Sequence, residues 1–445
     1  MQNLCSKAES RVVELAMTRV AIVEGFRTPF VKAGTEFDDV SAQELGRAVT
    51  QELLERTGID PSTVGEVVFG NVAQPANATN IARVIALQAG LPLSTSAHTV
   101  SRNCASGMQA VTTGFDLISL GRTDTVVVGG TESMSNIPLL FPKSMSRFLA
   151  GLSRKKTPLA KISHLRNFRL SMIKPIIGLV EGLKDPFCGL NMGQTAQILA
   201  NEFGITREMQ DEFSLHSHLK ASSAAKSGRF DQEIVPFYLP SKDKVITQDI
   251  GPRPNQTMEA LAKLKPFFDR RHGSVTAGSS SQITDGACAL LLMSEEKVQK
   301  LGLQPLAWIK SYAYAGLDPK RMGLGPAIAS PVALRKAGHT LAEMDYVEIN
   351  EAFAAQVLAV SQLFKNPSLG DRFGLSFGNL LSEIDPSKLN VHGGAIALGH
   401  PVGSSGARIV MTLAKELQRN KQAKLALATI CIGGGQGGAV VIEKA

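Results

Sequence analysis

Two cysteines and a histidine stand on glycine-rich segments that are far apart in the chain. Cys104 lies in Ser101-Arg-Asn-Cys-Ala-Ser-Gly, His400 in Leu398-Gly-His-Pro, and Cys431 begins Cys-Ile-Gly-Gly-Gly-Gln-Gly-Gly. Small residues around these side chains allow a substrate to approach the backbone closely. A thiol activated by an imidazole can form a covalent bond to an acyl group, while a second thiol carries protons. The three residues therefore indicate nucleophilic catalysis with a separate sulfur acid or base.

Cys104 comes just before a predicted helix from about Ser106 to Leu120. Free N–H groups and the macrodipole at the start of a helix favour a thiolate, and they can lower a cysteine pKa by roughly a unit or more. The competing interpretation is a buried cysteine that acts as a small hydrophobic residue. That interpretation suits Cys288, which lies within an apolar strand, better than it suits Cys104. Cys188 has no neighbour that suggests a role.

The other candidate residues also allow two interpretations. His400 occupies a turn of small residues, which favours an active-site role over a structural one, whereas His392 lies nearer a strand and suits packing. Asn350 ends a predicted strand and is either a helix N-cap or a polar active-site residue. The glycines after Cys431 lack the lysine of a phosphate-binding loop and lead into a strand. Their backbone N–H groups are better suited to holding an oxyanion.

The composition predicts a soluble globular protein without disulfides. The chain has 445 residues, of which 44% are apolar and 19% charged, so we expect two or three domains. No apolar run reaches the ~18 residues that cross a bilayer. The first nineteen residues lack a secretory core and contain Glu9 and Glu14, which argues against a transit peptide. The five cysteines, Cys5 among them, are widely spaced, and none belongs to a CxxC motif. This spacing predicts that the protein has no zinc site and that it works in a reducing compartment. We expect the cytoplasm, or the mitochondrial matrix in a eukaryote.

The order of predicted elements occurs twice along the chain. Strands near 19–24, 66–70 and 125–130 and the helix after Cys104 correspond to strands near 306–312, 344–350 and 423–429 and a helix at about 403–417. A repeat with this long a spacing implies two similar domains and not a solenoid. Continuous apolar strands indicate sheets that are buried on both faces. Because turns at strand ends carry function, we expect the three candidate residues to meet at the domain junction.

Residues 137–263 have no counterpart in the second half. The predicted boundaries are 17–136 with 264–300 for the N-terminal domain, 137–263 for an inserted loop domain and 301–445 for the C-terminal domain. The net positive charge of the chain comes from this insertion. Ten Lys and Arg and two acids lie between Leu140 and Asp185, which gives +8, equal to the net charge of the whole chain.

Apolar and basic residues are interleaved in segment 140–185, as in helices that lie at a membrane surface. Pro158 and Pro175 are expected to limit any helix to the stretch between them. Three interpretations remain open for this segment. It can contact a membrane surface, dock a partner subunit, or form a solvated face that screens phosphates or packs against another subunit.

Taken together, these motifs resemble the thiolase family over nearly the whole chain, from about Val20 to Glu443. The stretches that carry the resemblance are Arg27-Thr-Pro-Phe, Asn103-Cys-Ala-Ser-Gly, Gly129-Gly-Thr-Glu-Ser-Met, Asn350-Glu-Ala-Phe-Ala, Gly394-Ala-Ile-Ala-Leu-Gly-His-Pro and Cys431-Ile-Gly-Gly-Gly. The long basic insertion is most similar to long-chain 3-ketoacyl-CoA thiolases of the trifunctional-enzyme β-subunit type. The resemblance implies the α/β thiolase fold: two duplicated α/β domains with helices on both faces of mixed sheets, plus an inserted loop domain.

The resemblance also implies an acyltransferase reaction, in which CoA cleaves a 3-ketoacyl-CoA to acetyl-CoA and a shortened acyl-CoA in fatty acid β-oxidation. Cys104 would take up the acyl group as a thioester. His400 would activate Cys104 and form an oxyanion hole with a water held by Asn350. Cys431 would be the acid/base that exchanges protons with the acetyl carbon or the incoming thiol. The backbone N–H groups of Cys104 and Gly433 would form a second oxyanion hole.

For CoA, the resemblance implies contacts from Arg253, Ala277, Ser281 and Met192, with Phe353 lining the pocket. Three positions depart from the family pattern: Asn191 stands where many relatives have His, Ala260 replaces a frequent Ser, and His392 replaces a common Asn. CoA is the co-substrate, and no permanently bound cofactor or metal is expected. The implied partners are acyl-CoA and CoA, further copies in a homodimer or homotetramer, and a β-oxidation α subunit; nucleic acid is not among them.

Other members of this fold class give alternative functions. An acetoacetyl-CoA (biosynthetic) thiolase would use the same residues. A decarboxylating ketoacyl synthase shares the duplicated fold but normally has a second histidine in place of Cys431. A non-catalytic lipid-binding relative would not need Cys104, His400 and Cys431 together.

Overall fold

The computed structural model describes residues 18–375 and 378–445. Cys5 and residue 17, where the predicted N-terminal domain begins, lie outside the described residues. The strands are β1 (Val20–Arg27), β2 (Val31–Lys32), β3 (Glu66–Gly70), β4 (Ser96–Val100), β5 (Thr125–Glu132), β6 (Leu139–Leu140), β7 (Ile176–Ile177), β8 (Phe237–Leu239), β9 (Lys244–Ile246), β10 (Thr284–Ser294), β11 (Ala307–Gly316), β12 (Tyr346–Ile349), β13 (Leu425–Ile432) and β14 (Gln436–Lys444).

Fourteen α-helices lie in the described residues. They are α1 (Ala42–Thr57), α2 (Ile81–Gln88), α3 (Ser106–Ser119), α4 (Lys143–Ser153), α5 (Pro158–Leu165), α6 (Gly178–Gly182), α7 (Met192–Glu202), α8 (Arg207–Lys226), α9 (Met258–Ala262), α10 (Glu295–Leu301), α11 (Gly325–Ala337), α12 (Ala354–Lys365), α13 (Ala395–Leu398) and α14 (Val402–Arg419). No helix among the described residues is both long and apolar enough to cross a membrane.

One mixed sheet runs through both halves of the molecule. Its order is β12-β13-β14-β11-β1-β10-β5-β3-β4, with the short β2 beside β10. The order β3-β5-β10-β1 in the first half matches β12-β13-β14-β11 in the second, with parallel pairs at β3/β5 and β12/β13. The halves meet where β1 and β11 pair antiparallel, with Val20 opposite Ile309. The predicted α/β duplication is confirmed, and its two sheets are joined edge to edge.

Helices cover both faces of each half-sheet, as predicted. Apolar side chains of α1 and α2 form one core with the outer face of the N-terminal strands. Those of α7, α11 and α12 form a second core with the C-terminal strands. A third core lies between the halves and contains α3 and α14, which pack against strands from both. Because α3 and α14 share this central layer, the turns that precede them are brought to the same region.

The first turns of α3 and α14 pack without intervening side chains. An added Cβ on Gly107 would lie 2.8 Å from the backbone nitrogen of Ala407 and 2.9 Å from the carbonyl oxygen of Gly403. An added Cβ on Gly406 would lie 2.5 Å from the nitrogen of Met108. The glycines therefore allow the two helices to approach at backbone distance, which any larger residue would prevent.

The insertion forms its own small helical assembly. Helices α4 and α5 are held together where Phe148 stacks on His164 and the carbonyl of Phe148 lies 3.0 Å from His164 Nε2. The expectation that Pro158 and Pro175 confine helix to the stretch between them is wrong. Helix α4 ends before Pro158, α6 begins after Pro175, and Pro158 itself is the first residue of α5. Proline is tolerated at that first position because its missing N–H has no partner within the helix.

Candidate active site

Cys104 lies on a tight turn between β4 and α3, as predicted. Asn103 adopts the left-handed conformation, with φ of 44°. Its side-chain amide donates to the carbonyl of Gly433 at 2.7 Å. Ser106 closes the turn because its hydroxyl donates to the carbonyl of Asn103 at 2.7 Å and accepts from the N–H of Arg102 at 2.8 Å. The turn that carries Cys104 is thereby attached to the turn that follows Cys431.

Cys431 is the last residue but one of β13 and is fully buried. The chain then turns through Gly433, Gly434 and Gly435 into β14, and the last two have φ of 91° and 79°. Such values favour glycine. Burial raises the pKa of Cys431 far above its usual range, and the nearby charge on Cys104 raises it further.

Burial raises the pKa of Cys104 above its ordinary value, and hydrogen bonds from the backbone N–H groups of Gly433 and of Cys104 itself partly offset this. The sequence predicted the opposite direction from the start of a helix. That prediction is wrong because loss of hydration outweighs the helix N-terminus at this position. Cys104 is a thiol at rest and needs a base before it can attack.

His400 is the residue that is expected to act as this base. It lies between α13 and α14 and is buried, and its backbone N–H donates to the carbonyl of Gln282 at 3.0 Å. Its Nδ1 lies 2.6 Å from the hydroxyl oxygen of Ser405, and this hydroxyl donates to the carbonyl of Pro401 at 3.2 Å. In the tautomer that is compatible with the Pro401 contact, Nδ1 carries the imidazole proton and donates to the Ser405 hydroxyl. The lone pair is then on Nε2, which is buried without a partner among the described residues.

Burial, and to a smaller extent the charge of Arg408, lower the pKa of His400 to about 4. The imidazole is therefore neutral near pH 7 and able to accept a proton. Arg408 lies on α14 and is paired with the buried carboxylate of Glu348 at 2.6 Å. A buried, neutral imidazole suits the abstraction of a proton from a thiol during substrate attack.

Asn350 is fully buried at the end of β12, where its backbone N–H donates to the carbonyl of Thr429 at 3.0 Å. Its side-chain oxygen and nitrogen are both buried without a partner among the described residues. The N-cap interpretation is wrong because α12 begins at Ala354, with Phe353 as its N-cap. Two unpaired polar atoms in a buried side chain indicate a site for water or substrate.

The residues suggested for CoA lie on segments that border these turns. Met192 begins α7, and its sulfur would lie 3.2 Å from an added Cβ on Gly433. Phe353 is buried against Phe268, and the backbone N–H of Ser281 donates to Ala352 at 2.9 Å.

Arg253 and Ala277 are exposed. Arg253 follows Gly251, whose carbonyl accepts from the side chain of Gln282 at 3.2 Å. Since the carbonyl of Gln282 binds the N–H of His400, the loop of Arg253 lies beside the segment that carries the base.

Two departures from the family pattern have structural explanations. Asn191 is the N-cap of α7: its side chain accepts from the N–H of Gln194 at 2.9 Å, and its own N–H donates back to the Gln194 side chain. His392 lies 2.7 Å from the carboxylate of Glu416 on α14. Cys288 is buried inside β10, as predicted.

Sequence reasoning missed four residues that hold the site together: Asn103, Ser405, Gln282 and Glu132. The buried carboxylate of Glu132 accepts from the N–H of Gly403, in the first turn of α14, at 3.0 Å. Of these residues, only Asn103 has a local sequence signal, because asparagine is enriched at positions with a left-handed backbone conformation. The other three act through contacts with distant segments. No group of three or more potential metal ligands occurs in the described part of the chain.

Comparison with known proteins assigns this arrangement to one family. Residues 20–296 match the thiolase N-terminal domain and residues 303–444 the thiolase C-terminal domain. A 3-ketoacyl-CoA thiolase of Pectobacterium carotovorum is 42% identical over 426 residues, which covers 96% of each chain. The relative from Yersinia enterocolitica that bears the same name is 40% identical over 96% of this chain and 97% of its own.

Solved structures agree with the assignment. The acetyl-CoA acetyltransferase of Bacillus anthracis is 39% identical with a TM-score of 0.83, covering 96% of this chain and 99% of its own. The human mitochondrial 3-ketoacyl-CoA thiolase in complex with CoA is 37% identical with a TM-score of 0.82, covering 96% and 98%. The chain belongs to the thiolase family.

Proposed function

We propose that this protein is a 3-ketoacyl-CoA thiolase, an acyltransferase that uses CoA to cleave 3-ketoacyl-CoA into acetyl-CoA and a shortened acyl-CoA in fatty acid β-oxidation. The observation that carries the proposal is the hydrogen bond by which Asn103 joins the turn of Cys104 to the turn that follows Cys431. Burial raises the pKa of both thiols. A neutral imidazole with a free Nε2 is supplied by the segment before α14. The names of the curated relatives support this function.

In the first half-reaction, His400 Nε2 accepts the proton of Cys104, and the sulfur attacks the keto carbon of the substrate. The backbone N–H groups of Cys104 and Gly433 stabilise the oxyanion that forms. The bond between C2 and C3 then breaks, and its electron pair passes to the acetyl-CoA fragment as an enolate. His400 and a water held by Asn350 stabilise the enolate oxygen. Cys431 donates its proton to carbon, which releases acetyl-CoA and leaves an acyl thioester on Cys104.

In the second half-reaction, the Cys431 thiolate accepts the proton of an incoming CoA thiol. The CoA sulfur attacks the thioester carbonyl, and Cys104 leaves as a thiolate that recovers a proton from His400. Cys431 and His400 thus end each cycle in their starting states. CoA is a co-substrate here, held by Arg253, Ala277, Ser281 and Met192 with Phe353 lining the pocket, and no resident cofactor or metal is needed.

The acetoacetyl-CoA alternative has one observation in its favour. The acetyl-CoA acetyltransferase of Bacillus anthracis resembles this chain as strongly as the human 3-ketoacyl-CoA thiolase does. The test is to measure kcat/KM for thiolysis of acetoacetyl-CoA and of a long-chain 3-ketoacyl-CoA with the same enzyme. We expect the long-chain substrate to be preferred at least tenfold. A preference for acetoacetyl-CoA would assign the protein to the alternative class.

A membrane surface is the proposed partner of segment 140–185. All ten basic side chains of this segment are exposed, and none pairs with a carboxylate within the described part of the chain. Large apolar side chains there are also exposed, namely Leu140, Phe141, Leu149, Leu159, Ile162, Leu165, Phe168, Leu170, Ile173, Ile177 and Val180. Exposed apolar groups among unpaired cations suit an anionic lipid surface.

The proposal also covers the assembly and the location of the protein. We place the protein in the cytoplasm, or in the mitochondrial matrix in a eukaryote, as a homodimer or homotetramer at the membrane. A β-oxidation α subunit that supplies long-chain 3-ketoacyl-CoA would be a natural partner of such an assembly. We propose no nucleic-acid partner, since the net basic charge of the chain is confined to segment 140–185.

A further inference from the structure

The segments that carry the two thiols are connected at a second point, by the side chain of Arg102. This residue lies two positions before Cys104, in the turn between β4 and α3. Its Nε donates to the side-chain oxygen of Gln109 on α3 at 2.6 Å, and its Nη1 donates to the side-chain oxygen of Gln436 at 2.9 Å. Gln436 is the first residue of β14. One guanidinium therefore joins the first turn of α3 to the strand that follows the Cys431 turn.

An aromatic ring supports the plane of this guanidinium. The Cζ atom of Arg102 lies 4.1 Å from the centre of the Tyr314 ring, on β11. The hydroxyl of Tyr314 lies 3.0 Å from that of Thr112 on α3. Gly438 of β14 is opposite Tyr314 in the sheet, and an added Cβ on this glycine would lie 2.9 Å from the ring. The ring is thus held by contacts with α3 and β14, and the guanidinium packs on it as a planar group.

The glycine turn between β13 and β14 is held by side chains from outside it. Residues 433–435 are all glycine, and glycine loses more backbone freedom on ordering than any other residue. At the start of this turn, the amide of Asn103 donates to the carbonyl of Gly433 at 2.7 Å. At its end, Arg102 donates to Gln436. Two consecutive residues of one turn therefore hold both ends of the other.

We propose that Arg102 is a positioning residue that sets the distance between the backbone N–H groups of Cys104 and Gly433. These two groups form an oxyanion hole in the proposed function, and the proposal rests on that function. Because the groups lie on different turns, the hole keeps its geometry only while the turns are held together. A misplacement of about 1 Å at such a site can cost a hundredfold in rate. The guanidinium binds two neutral amides and an aromatic ring, so the contribution that we assign to it is geometric.

The test compares two reactions of the same thiol in Arg102→Met. Acylation of Cys104 by acyl-CoA forms an oxyanion at the carbonyl carbon, whereas alkylation by iodoacetamide displaces iodide from a saturated carbon and forms none. We expect the acylation rate constant, from rapid quench and mass spectrometry of the Cys104 peptide, to fall roughly tenfold or more. The alkylation rate constant should stay within about twofold of the wild type. An unchanged acylation rate, or an equal fall in both reactions, would overturn the proposal.

Two further variants separate the two-ended contact from charge and from bulk. Arg102→Lys keeps a cation near the Tyr314 ring but not the fork that reaches two amides, so acylation should stay roughly fivefold or more below the wild type. Full acylation by this variant would show that charge alone suffices and would contradict the proposal. Arg122→Met is the matched control, because Arg122 is exposed after α3. It should leave both rate constants near those of the wild type, and a loss as large as that of Arg102→Met would show that Arg102 has no special position.

Gln436→Leu tests the same contact from the other turn, and it serves if Arg102→Met does not fold. Loss of the acceptor should slow acylation several-fold without a change in alkylation, and unchanged acylation would contradict the positioning role. The double variant should acylate about as fast as Arg102→Met alone, since both changes remove one hydrogen bond. Additive losses would count against the contact. Failure of the proposed function is distinguishable, because wild-type Cys104 would then take up no acyl group, whereas failure of this proposal leaves wild-type acylation intact.

Discussion

His400 shows at the scale of one residue how a buried side chain acquires a defined chemistry. Burial keeps the imidazole neutral, with its pKa lowered to about 4. The contacts of the Ser405 hydroxyl with Nδ1 and with the carbonyl of Pro401 favour the tautomer in which Nδ1 carries the proton. Protonation state and tautomer are thus fixed by two separate causes, and both leave Nε2 as a base.

Ser405→Ala tests the tautomer. The variant leaves Nδ1–H buried without an acceptor, which costs about 1–3 kcal/mol and lets the proton move to Nε2. We expect the acylation rate constant of Cys104 to fall about tenfold or more in rapid-quench measurements. Ser404→Ala is the matched control, because the hydroxyl of Ser404 is buried without a hydrogen bond and its loss should change the rate little. Equal effects of both variants would contradict the assigned tautomer.

At the scale of secondary-structure elements, the turn before α3 determines how the site is arranged. Asn103 is left-handed, and its amide reaches the carbonyl of Gly433, whose N–H faces the sulfur of Cys104. The side chain therefore fixes the residue that is proposed to donate to the oxyanion. Helices α3 and α14 then hold the turn and His400 in one layer.

Two variants of Asn103 separate backbone strain from this contact. Asn103→Ala should lose roughly 1–2 kcal/mol of unfolding free energy, because alanine disfavours the left-handed conformation. It should also acylate more slowly. Asn103→Gly should recover most of the stability in urea denaturation but not the acylation rate, since glycine has no amide for Gly433. Full recovery of the rate by glycine would show that only the backbone conformation matters.

The sequence was informative about these elements and less so about how they interact. The helices after Cys104 and His400 were predicted to within one or two residues because apolar spacing is local. The raised pKa of Cys104 was missed because burial depends on strands from both halves of the sheet. The bond between Ser405 and His400 was missed because spacing alone does not reveal which way a buried imidazole faces. The helix limits predicted from the prolines of the insertion were wrong, because Pro158 begins a helix there.

The whole molecule combines a closed core with one open, charged surface. The two halves share a sheet and a central layer, whereas segment 140–185 exposes both its cations and much of its apolar surface. This division places the chemistry in the shared core and the proposed membrane contact in the insertion. Each can therefore be altered without the other.

Reversal of charge in the insertion tests the membrane contact. Lys155, Lys156, Arg166 and Arg169 changed to Glu should abolish sedimentation with phosphatidylglycerol vesicles, since each cation contributes about 1 kcal/mol near an anionic surface. Thiolysis of short, soluble substrates should be unchanged. The control changes Lys226, Lys300, Lys421 and Lys424, which are exposed elsewhere, to Glu. If wild-type protein does not bind the vesicles at low salt, the membrane proposal fails and docking of a partner subunit replaces it.

The most direct test of the central claim is mass spectrometry of the protein quenched during reaction with a 3-ketoacyl-CoA. The account predicts an acyl group on the Cys104 peptide of the wild type, and none in Cys104→Ser, which should lose several orders of magnitude in rate. Cys431→Ala should acylate Cys104 but turn over slowly, and His400→Ala should acylate poorly. An acyl group found on Cys188 or Cys431, or equal loss of acylation in the Cys431 and His400 variants, would contradict the account.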